Sequence, residues 1–75
     1  MFKHYQSVRV ARLLETDRPY GGSRSDERAP AVGDVGIVVD VVPNVNAYVV
    51  QCIGDNGLTL WLASFEESEL ERAKD

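Results

Sequence analysis

The sequence predicts a small, mainly β protein in which a strongly bent antiparallel sheet closes into a barrel, with a long first loop and a short C-terminal helix. Nine valines fall between residues 32 and 50, and β-branched residues at that density favour strands. Short strand-like segments alternate with turns rich in glycine, proline and asparagine. The 75 residues are 44% hydrophobic, which predicts one small core and a single domain over residues 1–75.

The first strand is predicted within residues 7–14, which alternate at the start and then run apolar. Residues 15–33 follow without apolar alternation and include Pro19, Gly21 and Pro30. They are interpreted as one long loop. A connection of this length in a small domain is typically a binding loop or a mobile segment.

Three further strands are predicted over residues 35–42, 47–53 and 58–63. Residues 43–46 form a four-residue connection between the first two. Residues 55–57, Asp-Asn-Gly, predict a three-residue hairpin loop with its glycine in the left-handed conformation.

This hairpin loop also predicts which side chains face the core. An odd-length loop aligns the Tyr48, Val50 and Cys52 face with the face of Leu58, Leu60 and Leu62. Cys52 is then opposite Leu60, and Val50 is opposite Leu62. The outer face carries the other side chains of both strands: Val49, Gln51, Ile53, Thr59, Trp61 and Ala63. We therefore expect Trp61 to project from the outer face.

The C-terminal segment, residues 64–75, is predicted to be a short helical turn. Ser64 and Glu67 match the capping box, in which each side chain accepts a backbone N–H of the other residue. The apolar residues that follow do not form a clean stripe, so the helix should be one to two turns long with a frayed end.

Three segments carry a resemblance to a known family: Gly33–Val41, Ala47–Val50 and Gly57–Leu62, with a closing Leu70. The pattern resembles a group of small bacterial proteins of unknown function with an SH3-like barrel, and the resemblance covers Ser7–Leu70. It implies an SH3-like antiparallel barrel and a bacterial setting. It also implies an accessory, antitoxin-like or regulatory role, and it supplies no catalytic or binding residues.

The charge is −4 and unevenly distributed. Residues 1–30 carry six Lys/Arg and four Asp/Glu, whereas residues 31–75 carry two and eight. Because nucleic-acid binders depend on Lys and Arg to neutralise phosphates, an acidic chain is a poor candidate for one. The alternative is a KOW- or Tudor-like nucleic-acid module, using Arg18, Arg24 and Arg28 in the long loop with Tyr20 as a stacking residue.

An enzyme is not predicted, and no catalytic residue is assigned. His4 has no partner evident in the sequence, Cys52 lies on the predicted inner face, and Ser64 is assigned to the capping box. With one cysteine and one histidine, the chain lacks a ligand set for structural zinc. We expect no metal and no cofactor.

The sequence also predicts a soluble cytoplasmic protein. The longest uninterrupted apolar runs, residues 47–50 and 60–63, are far shorter than the roughly 20 residues that span a bilayer. The N-terminal residues lead into no hydrophobic segment typical of a secretion signal. No membrane association is expected.

A core this small supplies only about 3 to 5 kcal/mol of stability, so association between subunits is a plausible further source. The leading hypothesis is a non-catalytic protein-interaction module that forms a homo-oligomer or binds another protein. The interface is predicted around Trp61, with neighbours on the sheet face or edge: Gln51, Val49, Ile53 and Thr59. The second alternative is small-molecule binding where the long loop meets the barrel.

Overall fold

The computed structural model describes residues 2–15, 17–23 and 27–73. It confirms a mainly β protein with five strands: β1 (Ser7–Val10), β2 (Val35–Val42), β3 (Ala47–Ile53), β4 (Thr59–Glu66) and β5 (Leu70–Arg72). The strands form one antiparallel sheet in the order β4-β3-β2-β1-β5. Over these described ranges, the helical structure consists of two 3₁₀ turns, Pro43–Val45 and Glu67–Glu69.

The hydrophobic core is a single cluster to which all five strands contribute: Val8, Val10, Val38, Tyr48, Val50, Cys52, Trp61, Ala63, Phe65 and Leu70. Alternate side chains of β1 and β3 enter this cluster, as the period of a strand requires. The five strands therefore share one inner face.

Strands β2 and β3 have the bounds that the sequence predicts. β1 ends at Val10 and not at the predicted Leu14, because the next two N–H groups donate to the Glu69 carbonyl oxygen. β4 continues past its predicted end at residue 63 to Glu66.

Gly36 lies in β2 where another strand approaches closely. A Cβ atom at this position would lie 2.6 Å from the Gln51 carbonyl oxygen and 2.7 Å from a methyl carbon of Val50. A side chain would force the two strands apart, so the contact between β2 and β3 requires glycine here.

The β3–β4 hairpin has the predicted three-residue loop. The Gly54 N–H donates to the Leu58 carbonyl oxygen at 2.9 Å, and Gly57 has a φ of 84°. Beyond the hairpin loop the pairing register changes. Thr59 pairs with Ile53, but the next residue of β3, Cys52, pairs with Trp61 and not with Leu60. Leu60 is therefore the extra residue of a β-bulge.

This bulge reverses the predicted faces of β4. Beyond it Val50 lies opposite Ala63, and the predicted pairs of Cys52 with Leu60 and of Val50 with Leu62 are wrong. A shift of one residue moves every side chain of a strand to the other face. Trp61, predicted to project outward, has 0% of its surface exposed, whereas Leu62 is 40% exposed.

The predicted C-terminal helix is wrong over residues 64–73, and residues 74–75 of that prediction lie outside the described residues. Ser64 continues β4, and the capping box forms between Glu66 and Glu69 around one 3₁₀ turn. After this turn, β5 pairs with β1. The physical reason is that this short path places both Phe65 and Leu70 in the core, which their spacing on one helix stripe does not achieve.

The long loop, described here over residues 11–15, 17–23 and 27–34, lies along the free edge of β4. Gly21 and Leu62 exchange two backbone hydrogen bonds of 3.0 and 2.7 Å. The N–H groups of Ser23 and Arg28 donate to the carbonyl oxygens of Thr59 and Leu60 at 2.8 and 2.9 Å. These contacts occupy backbone groups that would otherwise be free to pair with another chain.

Candidate functional site

The half of the outward side of β2, β3 and β4 that lies next to the β3–β4 hairpin, called the outer face below, consists of Val35, Ile37, Val49, Gln51, Ile53, Thr59 and Leu62. On the other half, Asp40 pairs with Val49 and Glu66 pairs with Ala47. The register places Ile37, Gln51 and Leu62 in one row across the three strands, and Ile53 beside Thr59 in the next. Ile53 is 51% exposed. The outer face is thus a continuous surface that combines short apolar side chains with two neutral polar ones.

An apolar outer face is unusual, because antiparallel sheets commonly present polar residues to solvent. The seven residues of this face include no charge. The two polar members are partly satisfied by each other, since the Gln51 Nε2 donates to the Thr59 Oγ1 at 2.9 Å. Contiguous apolar surfaces of this kind mark interaction sites when they exceed a few hundred Å².

Four of the five predicted interface residues lie together on this face: Val49, Gln51, Ile53 and Thr59. Trp61 does not, because its indole is in the core at 5.3 Å from the ring of Phe65. Leu62, which was predicted to face the core, lies on the outer face instead. Leucine has no conformational preference that would indicate a bulge, so the sequence around Leu60 did not predict one.

Asp34 connects the buried tryptophan to the long loop. One Asp34 oxygen accepts hydrogen bonds from the Trp61 Nε1 at 2.8 Å and from the Ala31 N–H at 2.9 Å. The Arg28 guanidinium donates to both carboxylate oxygens, at 2.8 and 3.0 Å. Burial raises the pKa of Asp34, but the bonds from Arg28, Trp61 and Ala31 outweigh this and hold the pKa below its usual value.

A second ion pair, between Arg18 and Glu69, holds the start of the loop. Only 4% of the Arg18 side chain and 2% of the Glu69 side chain are exposed. Each terminal nitrogen of Arg18 donates to one Glu69 oxygen, and Nη1 also donates to the Ser64 carbonyl oxygen at 2.6 Å. The guanidinium carbon lies 4.3 Å from the centre of the Phe65 ring.

The Glu69 carboxylate also organises the backbone around it. It accepts the N–H groups of Leu14 and Glu66 at 2.8 and 2.9 Å. Burial raises the pKa of Glu69, but the bonds from Arg18, Leu14 and Glu66 outweigh it, and the pKa lies below its usual value. The pair thus joins the loop to the turn between β4 and β5.

These ion pairs bear on the predicted nucleic-acid site. Arg18 is buried, so its guanidinium is not presented to a phosphate at the surface. Arg28 is partly exposed but bound to Asp34, Tyr20 is exposed, and Arg24 lies outside the described residues. The structure gives two of the three arginines an internal carboxylate in place of a phosphate.

The other side chains considered for chemistry lie apart from one another. The His4 Nε2 is 3.6 Å from an Asp40 oxygen at the surface. Cys52 is buried, and burial together with the Asp34 charge raises the pKa of its thiol. Over the described ranges, no group of three or more His, Cys, Asp or Glu residues has the arrangement of a metal site. No helix in this part of the chain has the length and apolar character needed to cross a membrane.

A groove lies where the loop meets the sheet, at the position of the predicted small-molecule site. Its volume is about 380 Å³, and it is open to solvent along its length. The loop and the two neighbouring strands line it: Glu15, Arg18, Pro19, Tyr20, Gly21, Val49, Leu62, Ala63 and Ser64. The groove therefore adjoins the outer face at Val49 and Leu62.

Comparisons with protein-family models, with curated proteins and with solved structures find no match to this chain. The resemblance to the small bacterial SH3-like family stays a prediction. The outer face and the groove are therefore the basis on which a function is proposed.

Proposed function

We propose that this chain is a non-catalytic protein-interaction module, built as an SH3-like barrel, that associates with a second copy of itself through the outer face. The observation that carries this proposal is the outer face, whose seven residues are largely apolar and include no charge. An accessory or regulatory role in the bacterial cytoplasm, possible for a module of this kind, stays a prediction.

Three features support the SH3-like barrel. The strand order β4-β3-β2-β1-β5 joins the first strand to the last, and all five strands surround one core. A long loop separates β1 from β2, and a single 3₁₀ turn separates β4 from β5. In a sheet bent in this way the inner side is filled by the chain itself, so only the outer side is available to a partner.

A second copy suits this surface because it has the same chemistry. Two outer faces that meet about a twofold axis bury apolar side chains against each other, with Asp40, which pairs with Val49, at the border of the contact. The net charge of −4 opposes association in general, but the carboxylates lie outside the seven residues of the face. The backbone groups at the outer edge of β4 already bond to the loop. The outer face is therefore favoured over this edge as the interface.

The test is a change of charge on the face, in the variants Ile53→Lys and Leu62→Lys. We expect light scattering at increasing concentration to show a dimer for the unaltered chain and a monomer for both variants, because each subunit would bring a lysine without a counter-ion into the apolar interface. The matched control is Val45→Lys, at a residue that is 66% exposed on the connection between β2 and β3.

A monomer at millimolar concentration for the unaltered chain would contradict the proposal, as would a dimer that both variants retain. Trp61→Ala does not test this interface, because the indole lies in the core. Its loss would remove a large buried side chain at about 3 to 5 kcal/mol and unfold the subunit.

A further inference from the structure

The groove between loop and sheet extends beyond the section that adjoins the outer face. A second section is lined by residues of the β2–β3 connection and the end of β4, including Val45, Ala47 and Glu66. A third lies beside Asp17. Glu15 and Arg18 line all three sections, so the sections adjoin one another along the loop.

The lining of this groove has an apolar component on its sheet side. Val49, Leu62 and Ala47 contribute aliphatic side chains from β3 and β4, and Pro19 and Tyr20 contribute the facing wall from the loop. Leu62 and Tyr20 are exposed. Such a groove fits the side chains of an extended segment better than a compact ligand, since it is open along its length.

The charged side chains of the lining are unbalanced. Glu15, Asp17 and Glu66 are exposed carboxylates, of which Glu66 also caps the 3₁₀ turn. The cation among the described lining residues is Arg18, and its charge is buried against Glu69. A ligand in the groove therefore meets an apolar strip bordered by negative charge.

We propose that this groove binds an extended segment of another protein in which basic side chains flank an apolar one. The apolar side chain packs against Val49 and Leu62, and the basic side chains approach Glu15, Asp17 and Glu66. Complementary charge across such a surface mainly gives specificity and faster association. Val49 and Leu62 belong to both surfaces, so a segment bound in the groove competes for these two side chains with the second copy proposed above.

The experiment is a titration of the ¹⁵N-labelled chain with a short synthetic peptide in which two arginines flank a leucine. We expect amide shifts confined to the groove, at Tyr20, Gly21, Leu62 and Ser64. The matched peptide with glutamates in place of the arginines should produce none. Raising the salt concentration from 50 to 300 mM should weaken the binding, because exposed charges are screened.

Two variants test the charged border. Glu15→Gln and Asp17→Asn should each raise the Kd about two- to fivefold, and together roughly tenfold, as expected for exposed ion pairs. The control is Asp55→Asn, which removes an equal charge from the hairpin loop outside the groove. Thermal melting verifies that each variant is folded.

The proposal is overturned if the glutamate peptide binds as well as the arginine peptide, if Asp55→Asn weakens binding as much as the groove variants, or if the shifts map elsewhere. Ile53→Lys separates the two proposals. It should remove self-association and retain peptide binding, whereas loss of peptide binding by the groove variants leaves the light-scattering mass unaltered.

Discussion

Two ion pairs fix the two ends of the long loop, and they differ in their exposure to water. Arg18 and Glu69 fasten the start of the loop, with 4% and 2% of their side chains exposed. Arg28 and Asp34 fasten its end, with 44% and 15% exposed. Both pairs are bidentate, and both carboxylates also accept backbone N–H groups.

The difference shows what each environment requires of a salt bridge. A buried pair is tolerable only if its other hydrogen-bonding groups also find partners, because both ions have lost their water. In the described part of the chain, every buried side-chain nitrogen and oxygen has a hydrogen-bond partner. At the exposed pair, water can replace either partner, so the charge–charge contact itself contributes little.

The largest effect is expected for Glu69→Ala. It leaves the Arg18 guanidinium buried without a counter-ion, at a cost of about 3 to 5 kcal/mol, which is close to the whole stability of a core this small. Circular dichroism and urea titration should show a chain that is largely unfolded at 25 °C.

The control for this variant is Glu71→Ala, which breaks the exposed pair of Arg9 and Glu71 and should cost less than about 1 kcal/mol. If the two variants lose similar stability, the buried pair does not have the role assigned to it. Replacing both partners, with Arg18→Met and Glu69→Leu, should recover part of the loss, since no charge is then buried.

Asp34→Ala is expected to have the next largest effect, because the buried Trp61 N–H loses its acceptor. The cost should be about 1 to 3 kcal/mol, measured by urea titration followed through tryptophan fluorescence. Asp34→Asn keeps an oxygen for the indole and should cost less. Equal losses for the two variants would show that the charge on Asp34, rather than its bond to Trp61, is what matters.

Acid should weaken both ion pairs, because it protonates their carboxylates. The pKa values of Asp34 and Glu69 are lower in the folded chain than in the unfolded one, where they are about 3.9 and 4.3. Their contribution to stability is therefore complete above about pH 5 and is lost as the pH falls through the folded values. The melting temperature should fall steeply below pH 4, and Glu69→Gln, if it folds, should flatten that decline. A melting temperature that is constant down to pH 2 would contradict this.

The smallest effect is expected for Arg28→Ala. The guanidinium is partly exposed, and Asp34 keeps its bonds to Trp61 and Ala31, so the loss should be below about 1 kcal/mol. Hydrogen exchange at the Leu62 amide, which is bound to Gly21, should stay slow. Rapid exchange at this amide would instead make Arg28 a main anchor of the loop.

The sequence predicts β2 and β3 to the residue because their alternation and valine content act locally. The faces of β4 were predicted wrongly because one extra residue, Leu60, changes the register, and any residue type can occupy that position. The core then selects the register that buries Trp61 and Phe65, whose rings have more surface to bury than leucine.

The two anchors of the loop could not be predicted for a different reason. Arg18 and Glu69 are 51 positions apart, and each has a polar context that indicates a solvated surface. Only the fold brings them together. The same holds for the groove, whose two walls come from the loop and from β3 and β4. By contrast, four residues of the outer face were predicted from the parity of β3 and from the position of the hairpin loop.

The backbone contacts of Gly21 with Leu62 have a consequence for aggregation. At one edge of the sheet, β4 bonds to the chain's own loop, and the strand at the opposite edge, β5, is three residues long. Neither edge presents a long row of unpaired backbone N–H and C=O groups, to which the strands of a fibril add. In the proposed dimer the two outer faces cover each other, so this contact does not extend to a third subunit. Polymerisation through this edge would first require the loop around Gly21 to dissociate from β4.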